Sequence, residues 1–234
     1  MTIHYHGTPI TPRSVLTELV GKCFCVPFSD YRDAAICHQI GQSVMIDNGA
    51  FSIWKRNRDI KMYPWDGYYS WIRPWLDYQT TWCVIPDVIN GLEIENDRLI
   101  GQWFSIMASY RQSAPVWHLH ESLTRLERLM RGFERVCIGS SGEYAVIHSD
   151  GWNNRMNEAF NLICKGSGRP KVWVHMLRGM SLSGSIYPFA SVDSTDVARN
   201  HEGRNGRALA MANRWDSVQC PARWQELPIQ AALI

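Results

Sequence analysis

The stretch Val116-Trp-His-Leu-His-Glu-Ser-Leu-Thr-Arg-Leu-Glu-Arg-Leu-Met-Arg-Gly-Phe-Glu-Arg-Val-Cys-Ile-Gly139 decides how the rest of the chain is read. Val116 to Leu119 is a short apolar run of strand-forming residues, ended by the polar pair His120 and Glu121. From Glu121 to Phe133 the period changes. Leu123, Leu126, Met130 and Phe133 fall on one helical stripe, with Arg and Glu on the opposite face. Arg135-Val-Cys-Ile138 then returns to strand composition. Strands this short and this continuously apolar are expected to be covered on both faces.

The same alternation extends in both directions. Cys23–Phe28, Ser43–Ile46, Trp82–Ile85, Lys171–His175 and Phe189–Val192 read as strands, and an eighth is expected near Ile3–Tyr5 or in the C-terminal segment. Helices are expected over Asp30–Ile40, Trp65–Tyr78, Leu92–Tyr110 and Trp152–Cys164. Pro74 should break or kink the second of these, because proline has no N–H to donate and its ring collides with the preceding turn. Strands alternating with helices imply a parallel α/β architecture, either a closed barrel or an open doubly wound sheet. No internal repeat, low-complexity tract or linker divides the chain, so residues 1–234 read as one domain.

Composition narrows the classes. With 234 residues, 45% of them hydrophobic, and a net charge of +2, disorder is excluded as the main state. No run of about 18 apolar residues exists, so no membrane span is expected. The opening Met1-Thr-Ile-His-Tyr-His6 has no basic-then-apolar leader. The seven cysteines are scattered, with no Cys-x-x-Cys and no zinc-finger spacing. A cytoplasmic location and no bound metal or cofactor are the resulting expectations. The basic residues are mostly Arg, which grips phosphate bidentately and stacks on planar groups.

The polar residues that follow the strands carry the functional reading. Asp47 follows Val-Met-Ile, Asp87 follows Val-Ile-Pro, and His118 and His120 sit at the end of the Val116 run. Gly139, Ser140, Ser141 and Glu143 follow the next strand, His175 and Met176 end the Lys171 run, and Asp193 and Asp196 follow Phe-Ala-Ser-Val. In a parallel barrel all strand C-termini share one rim, and that rim carries the active site. Any single strand-end Asp or Ser could cap the next helix instead; the three aspartates Asp47, Asp87 and Asp193 together favour a site. A pair of carboxylates over a sugar carbon performs glycosyl transfer, one attacking the anomeric carbon and one moving protons, without a metal. The rival constellation is His4-x-His6 with His120, His175 and Asp193, which superficially resembles the metal-dependent amidohydrolases and would require a metal.

The segments around the three aspartates resemble one family. Asp47-Asn-Gly-Ala-Phe51-Ser is similar to the D-S-G-G-F-Q motif of the tRNA-guanine transglycosylases, and Asp193-Ser-Thr-Asp-Val-Ala-Arg199-Asn to their D-x-x-x-P-T-R-N. Ile138-Gly-Ser-Ser-Gly-Glu143 resembles their G-L-A-V-G-E loop and Val174-His-Met-Leu177 their L-M-G strand end, while Ile85-Pro-Asp87 falls where they keep a base-recognising Asp. The motifs keep family order over roughly residues 43–207. The family's tRNA enzymes also carry a C-terminal Cys-x-Cys-x-x-Cys…His zinc module, which is not found before Ile234. The chain looks most like the short phage and prophage relatives called DpdA, which exchange guanine in DNA for a 7-deazaguanine.

The resemblance implies a compact (β/α)8 TIM-type barrel without the zinc module. It implies DNA as partner, with guanine and a 7-deazaguanine of the preQ0 or preQ1 kind as the exchanged bases; the alternatives on the same carboxylates are exchange in tRNA and hydrolysis of a 7-deazaguanine nucleoside with water as acceptor. It makes Asp193 the nucleophile at C1′ and Asp47 the proton-transfer partner. Asp87 would read the base edge, with His118 or His120 and the backbone at Gly139 and Ser140 as further contacts. Phe51 and Met176 would sandwich the base, which must be flipped out of the duplex or presented in a single strand. Arg199, Arg204 and Arg207, directly after the nucleophile, would contact phosphates.

Overall fold

A computed structural model describes residues 1–57, 60–107, 111–202 and 207–227. Its strands are β1 (Ile3–Gly7), β2 (Cys23–Pro27), β3 (Ser43–Asp47), β4 (Thr81–Val84), β5 (Ser113–Ala114), β6 (Val116–His118), β7 (Arg135–Gly139), β8 (Trp173–Met176) and β9 (Ser191–Ser194). The helices between and after them are α1 (Arg13–Thr17), α2 (Ala34–Ile40), α3 (Ala50–Asn57), α4 (Asp66–Ile72), α5 (Glu93–Met107), α6 (Leu123–Gly132), α7 (Asp150–Ile163), α8 (Asp196–Asn200) and α9 (Ala208–Ser217). The expected helix over Leu92–Tyr110 is α5, and residues 108–110 lie outside the described residues. The break at Pro74 is present: α4 stops at Ile72, and Arg73–Asp77 continues as a tighter 3-10 turn.

All paired strands are parallel, in the order β5-β4-β3-β2-β1-β9-β8-β7-β6. The two ends of that order, β5 and β6, are separated in the chain by Pro115 alone. Ile85 N–H donates to the Ala114 carbonyl at 2.9 Å, and Cys137 N–H donates to the Pro115 carbonyl at 2.9 Å. One short segment therefore pairs with β4 on one side and β7 on the other, and the sheet curls into a nearly closed barrel. The open doubly wound alternative is thereby set aside. The strand expected near Ile3–Tyr5 is β1, which bridges β2 and β9.

Pleat alternation gives the cylinder two cores. Tyr5, Cys23, Cys25, Met45, Trp82, Val84, Ala114, Val116 and Cys137 pack together inside it. Their neighbours Phe24, Val26, Val44, Ile46, Val136, Ile138, Val174 and Val192 face outward onto the helices. That double coverage is why the strand runs are almost continuously apolar. The lower end is closed by Arg135, whose guanidinium lies 5.7 Å from the Trp82 ring and 5.5 Å from the Trp173 ring. Above them Trp82 Nε1 donates to Tyr5 Oη at 2.9 Å.

His4 and His6 alternate with Tyr5 and so face the outer layer. His6 Nε2 lies 3.2 Å from Asp216 of α9, and His4 Nε2 lies 2.9 Å from Ser183 Oγ. The His-x-His pair is thus on the opposite side of the sheet from Asp193, and the amidohydrolase-like constellation is not assembled. Among the described residues no helix is long and apolar enough to cross a membrane.

Candidate active site

The C-terminal ends of the strands surround a cavity of about 550 Å3 that contains Asp47, Asp87 and Asp193. Asp47 is the last residue of β3, and the chain then turns through Asn48 and Gly49 into α3. Gly49 has φ +75°, and a Cβ there would lie 3.0 Å from Ser29 N, so the turn needs glycine for both conformation and space. Asn48 ties two strand ends together. Its Oδ1 accepts from Ala50 N–H at 2.7 Å, while its Nδ2 donates to the Ile85 carbonyl and to Asp87 Oδ1, each at 2.8 Å. Buried polar side chains reward full pairing of this kind, and Asn48 is 1% exposed.

Asp87 is held from its other oxygen by His118, with Nε2 2.9 Å from Oδ2. His118 is in turn set by a buried carboxylate. Glu121 Oε2 accepts from His118 N–H at 2.9 Å, Oε1 accepts from Asn96 Nδ2 at 2.8 Å, and Arg125 pairs with it at 2.5 Å. Glu121 and Arg125 are both almost wholly buried. Glu121→Ala leaves the Arg125 charge underpaired and frees the His118 backbone. It is expected to cost about 3 kcal/mol, roughly 6–12 °C in Tm for a chain of this size, read by thermal melting. Gly139 makes room for the histidine: a Cβ there would sit 2.7 Å from His118 Nδ1. That Nδ1 and Ser141 Oγ are buried, belong to cavity-lining residues and have no hydrogen-bond partner among the described residues.

Asp193, in β9, receives two contacts on the same oxygen. Arg178 N–H donates to Oδ1 at 2.7 Å, and His175 Nε2 lies 3.2 Å from Oδ1. Oδ2 has no hydrogen-bond partner among the described residues. Asp47 differs electrostatically from an ordinary carboxylate. Burial first, then the negative charges of Asp193 and Asp87, push its pKa up to about 7, against smaller downward pulls from Gly49 N–H and Arg178. Near neutral pH Asp47 is therefore populated both with and without its proton.

Three cationic side chains, Lys55, Arg178 and Arg199, line the cavity together with the partly exposed Asp30. Arg178 sits at φ +55°, a strained setting for a residue with a side chain that costs roughly 1 kcal/mol. Its Nη2 donates to the Ser140 carbonyl at 2.9 Å, and its guanidinium lies 4.1 Å from the centre of the Phe51 ring.

Of the residues singled out from the sequence, Asp47, Asp87, Asp193, Phe51, His118, Gly139, Ser140 and Arg199 share this cavity. Ser140 contributes its backbone edge, because its Oγ is engaged by Trp152 Nε1 at 3.1 Å and by the Tyr144 carbonyl. Met176 does not reach the cavity: it is fully buried in the outer core, and Leu177 lines the cavity instead. The cause is strand alternation. His175 points inward against the rings of Tyr5 and Trp82, so Met176 must point out. His120 also lies outside the lining, with its Nε2 2.9 Å from the Gly91 carbonyl, because β6 ends at His118 and the chain turns away. Arg207 is exposed at the start of α9 and lines no part of the cavity, and Arg204 lies outside the described residues. Sequence reasoning missed Asn48, Lys55, Leu177 and Arg178.

No family model, curated protein or solved structure matches the chain.

Proposed function

We propose that this chain is a DNA guanine transglycosylase, a base-exchange glycosyltransferase that replaces guanine in DNA by a 7-deazaguanine of the preQ0 or preQ1 kind. With residues 113–118 counted as one strand interrupted at Pro115, the barrel is of the (β/α)8 TIM type. The observation that carries the reading is the set of three strand-end carboxylates in one cavity, in unlike environments. One holds a proton near neutral pH, and another has one oxygen hydrogen-bonded and one without a partner among the described residues. Environments that push two carboxylates apart assign acid–base and nucleophile roles.

In the proposed reaction Asp193 Oδ2 attacks C1′ of a deoxyguanosine. The C1′–N bond breaks, its electron pair stays with guanine, and Asp47 supplies the proton that neutralises the leaving base. The result is an ester between Asp193 and the deoxyribose. The incoming 7-deazaguanine then attacks C1′ through its ring nitrogen and gives a proton to Asp47, and the ester C–O bond breaks to restore the carboxylate. Asp87 accepts from the base's amino and ring N–H groups, a task suited to an acceptor-only side chain. His118 holds Asp87 in place for those contacts through Nε2. Phe51 and Leu177 supply apolar faces, and Lys55, Arg178 and Arg199 suit the flanking phosphates.

The test is an exchange assay with DNA, radiolabelled guanine and 7-deazaguanines, with tRNA in a parallel tube. Label entering DNA supports the proposal. Label entering tRNA alone, or base released without replacement, overturns it. Asp87→Asn places amide N–H groups against the base's own donors. It is expected to lower kcat/KM for guanine about 100-fold and to shrink the preference for guanine over hypoxanthine, which lacks the amino group, as read in competition assays.

A further inference from the structure

We propose that His175 is a positioning residue for the nucleophile. Through a buried chain from Trp173 and Ser191 it fixes the Asp193 carboxylate with Oδ1 engaged and Oδ2 turned to the sugar carbon. The inference rests on the reading of Asp193 as nucleophile.

Trp173 Nε1 is 2.8 Å from Ser191 Oγ, and an indole N–H can only donate. Ser191 Oγ therefore accepts there, and its single hydrogen is left for His175 Nδ1, also at 2.8 Å. Nε2 faces Asp193 Oδ1 at 3.2 Å, and a carboxylate oxygen can only accept, so Nε2 carries the ring proton and Nδ1 accepts from Ser191. Ser191 and His175 are both fully buried, so water does not compete for these bonds. The bonds at the two ends of the ring agree on this tautomer, and Trp173, which lines no part of the cavity, anchors the far one.

The consequence for Asp193 is geometric. A carboxylate left alone exchanges its two oxygens by rotating about one bond. Two donors on the same oxygen, His175 Nε2–H and Arg178 N–H, resist that rotation and keep Oδ2 presented. Both donors also stabilise the negative charge that returns to Asp193 when the ester breaks. The donors should therefore act on both halves of the exchange, most visibly on the second.

His175→Leu removes the donor at similar volume, and His175→Gln keeps an N–H near the Nε2 position. Ser191→Ala releases the tautomer without touching the histidine. In exchange assays on the full chain, His175→Leu should lower kcat about 30-fold, leave KM for the free base within about twofold, and lengthen the life of the denaturation-trapped Asp193 adduct. His175→Gln should recover most of kcat, and Ser191→Ala should fall between the two. Equal loss in the Leu and Gln variants, or an unaltered adduct lifetime in the Leu variant, overturns the inference. Should the Leu variant fail to fold, a Ser191→Ala protein with unaltered kcat and adduct lifetime overturns it equally. Failure of the parent reading shows elsewhere, as absence of any Asp193 adduct in the unmodified protein.

Discussion

Asp193→Asn leaves no covalent adduct when the protein is mixed with DNA and denatured, and base exchange falls by on the order of 10^4-fold or more. The substitution is chosen because it preserves the shape of the site. An asparagine oxygen in place of Oδ1 still accepts from Arg178 N–H and from His175, and the barrel around it is unchanged. Only the free oxygen is replaced, by an amide nitrogen whose lone pair is delocalised and which does not attack carbon. DNA affinity should stay within a few-fold, since phosphate contacts supply most of it and Lys55, Arg178 and Arg199 are untouched. The measurement is a single-turnover reaction followed by denaturing electrophoresis, with mass spectrometry to locate the modified peptide. An adduct that persists in the variant, or that maps to Asp47 or Asp87 in the unmodified protein, overturns the assignment.

The sequence exposed the strands and their polar ends because both faces of each strand are buried and the apolar runs stop where the cavity begins. It left closure of the sheet undecided for a local reason. The closing segment, residues 113–118, is split by a proline that cannot donate, so it reads as one short strand and an unremarkable preceding pair. Met176 and Leu177 were separable in principle. Once His175 is placed inward by its pairing with Asp193, a period of two sends Met176 out and Leu177 in. His118 and His120 share a spacing that would put them on one face of a strand, yet the strand ends at His118, so the period fails at the residue where it was needed. Arg178 left no trace of its kind in the pattern. Its place in the site comes from a left-handed backbone at φ +55° and from its main-chain N–H, neither of which residue type reveals. The helix α3, with Phe51 and Lys55 at the mouth, hides behind Asn48-Gly49, a pair that reads as a turn.

Asp47→Asn should make the protein slower and more stable at once. The carboxyl at Asp47 holds its proton up to about pH 7 in the folded protein because burial and the charges of Asp193 and Asp87 oppose ionisation. In the unfolded chain it ionises at the ordinary aspartate value, about 4. Between those values the folded state binds the extra proton, so this group lowers stability increasingly as pH rises from about 4 and fully only above about 7. A shift of about three units caps the penalty at roughly 4 kcal/mol, since one unit is worth about 1.4 kcal/mol. Because the residue is reached from the open cavity, about 2 kcal/mol is the expected gain for Asp47→Asn at pH 8. The gain should shrink steadily from pH 7 to pH 4 and vanish below, as read by chemical denaturation at a series of pH values. Activity moves the other way. Without a proton to give, guanine must leave as an anion, and adduct formation should slow by about 10^2- to 10^4-fold. In the unmodified protein the same step should decline as pH rises through 7, while the variant should lose that limb. A variant that is slower but keeps the limb would mean that Asp47 is not the proton donor, and one that gains no stability at pH 8 would mean that it is not the buried charge that strains the site. The two measurements are independent, yet both follow from one cause: Asp47 is buried beside Asp193 and Asp87, whose negative charges oppose its ionisation.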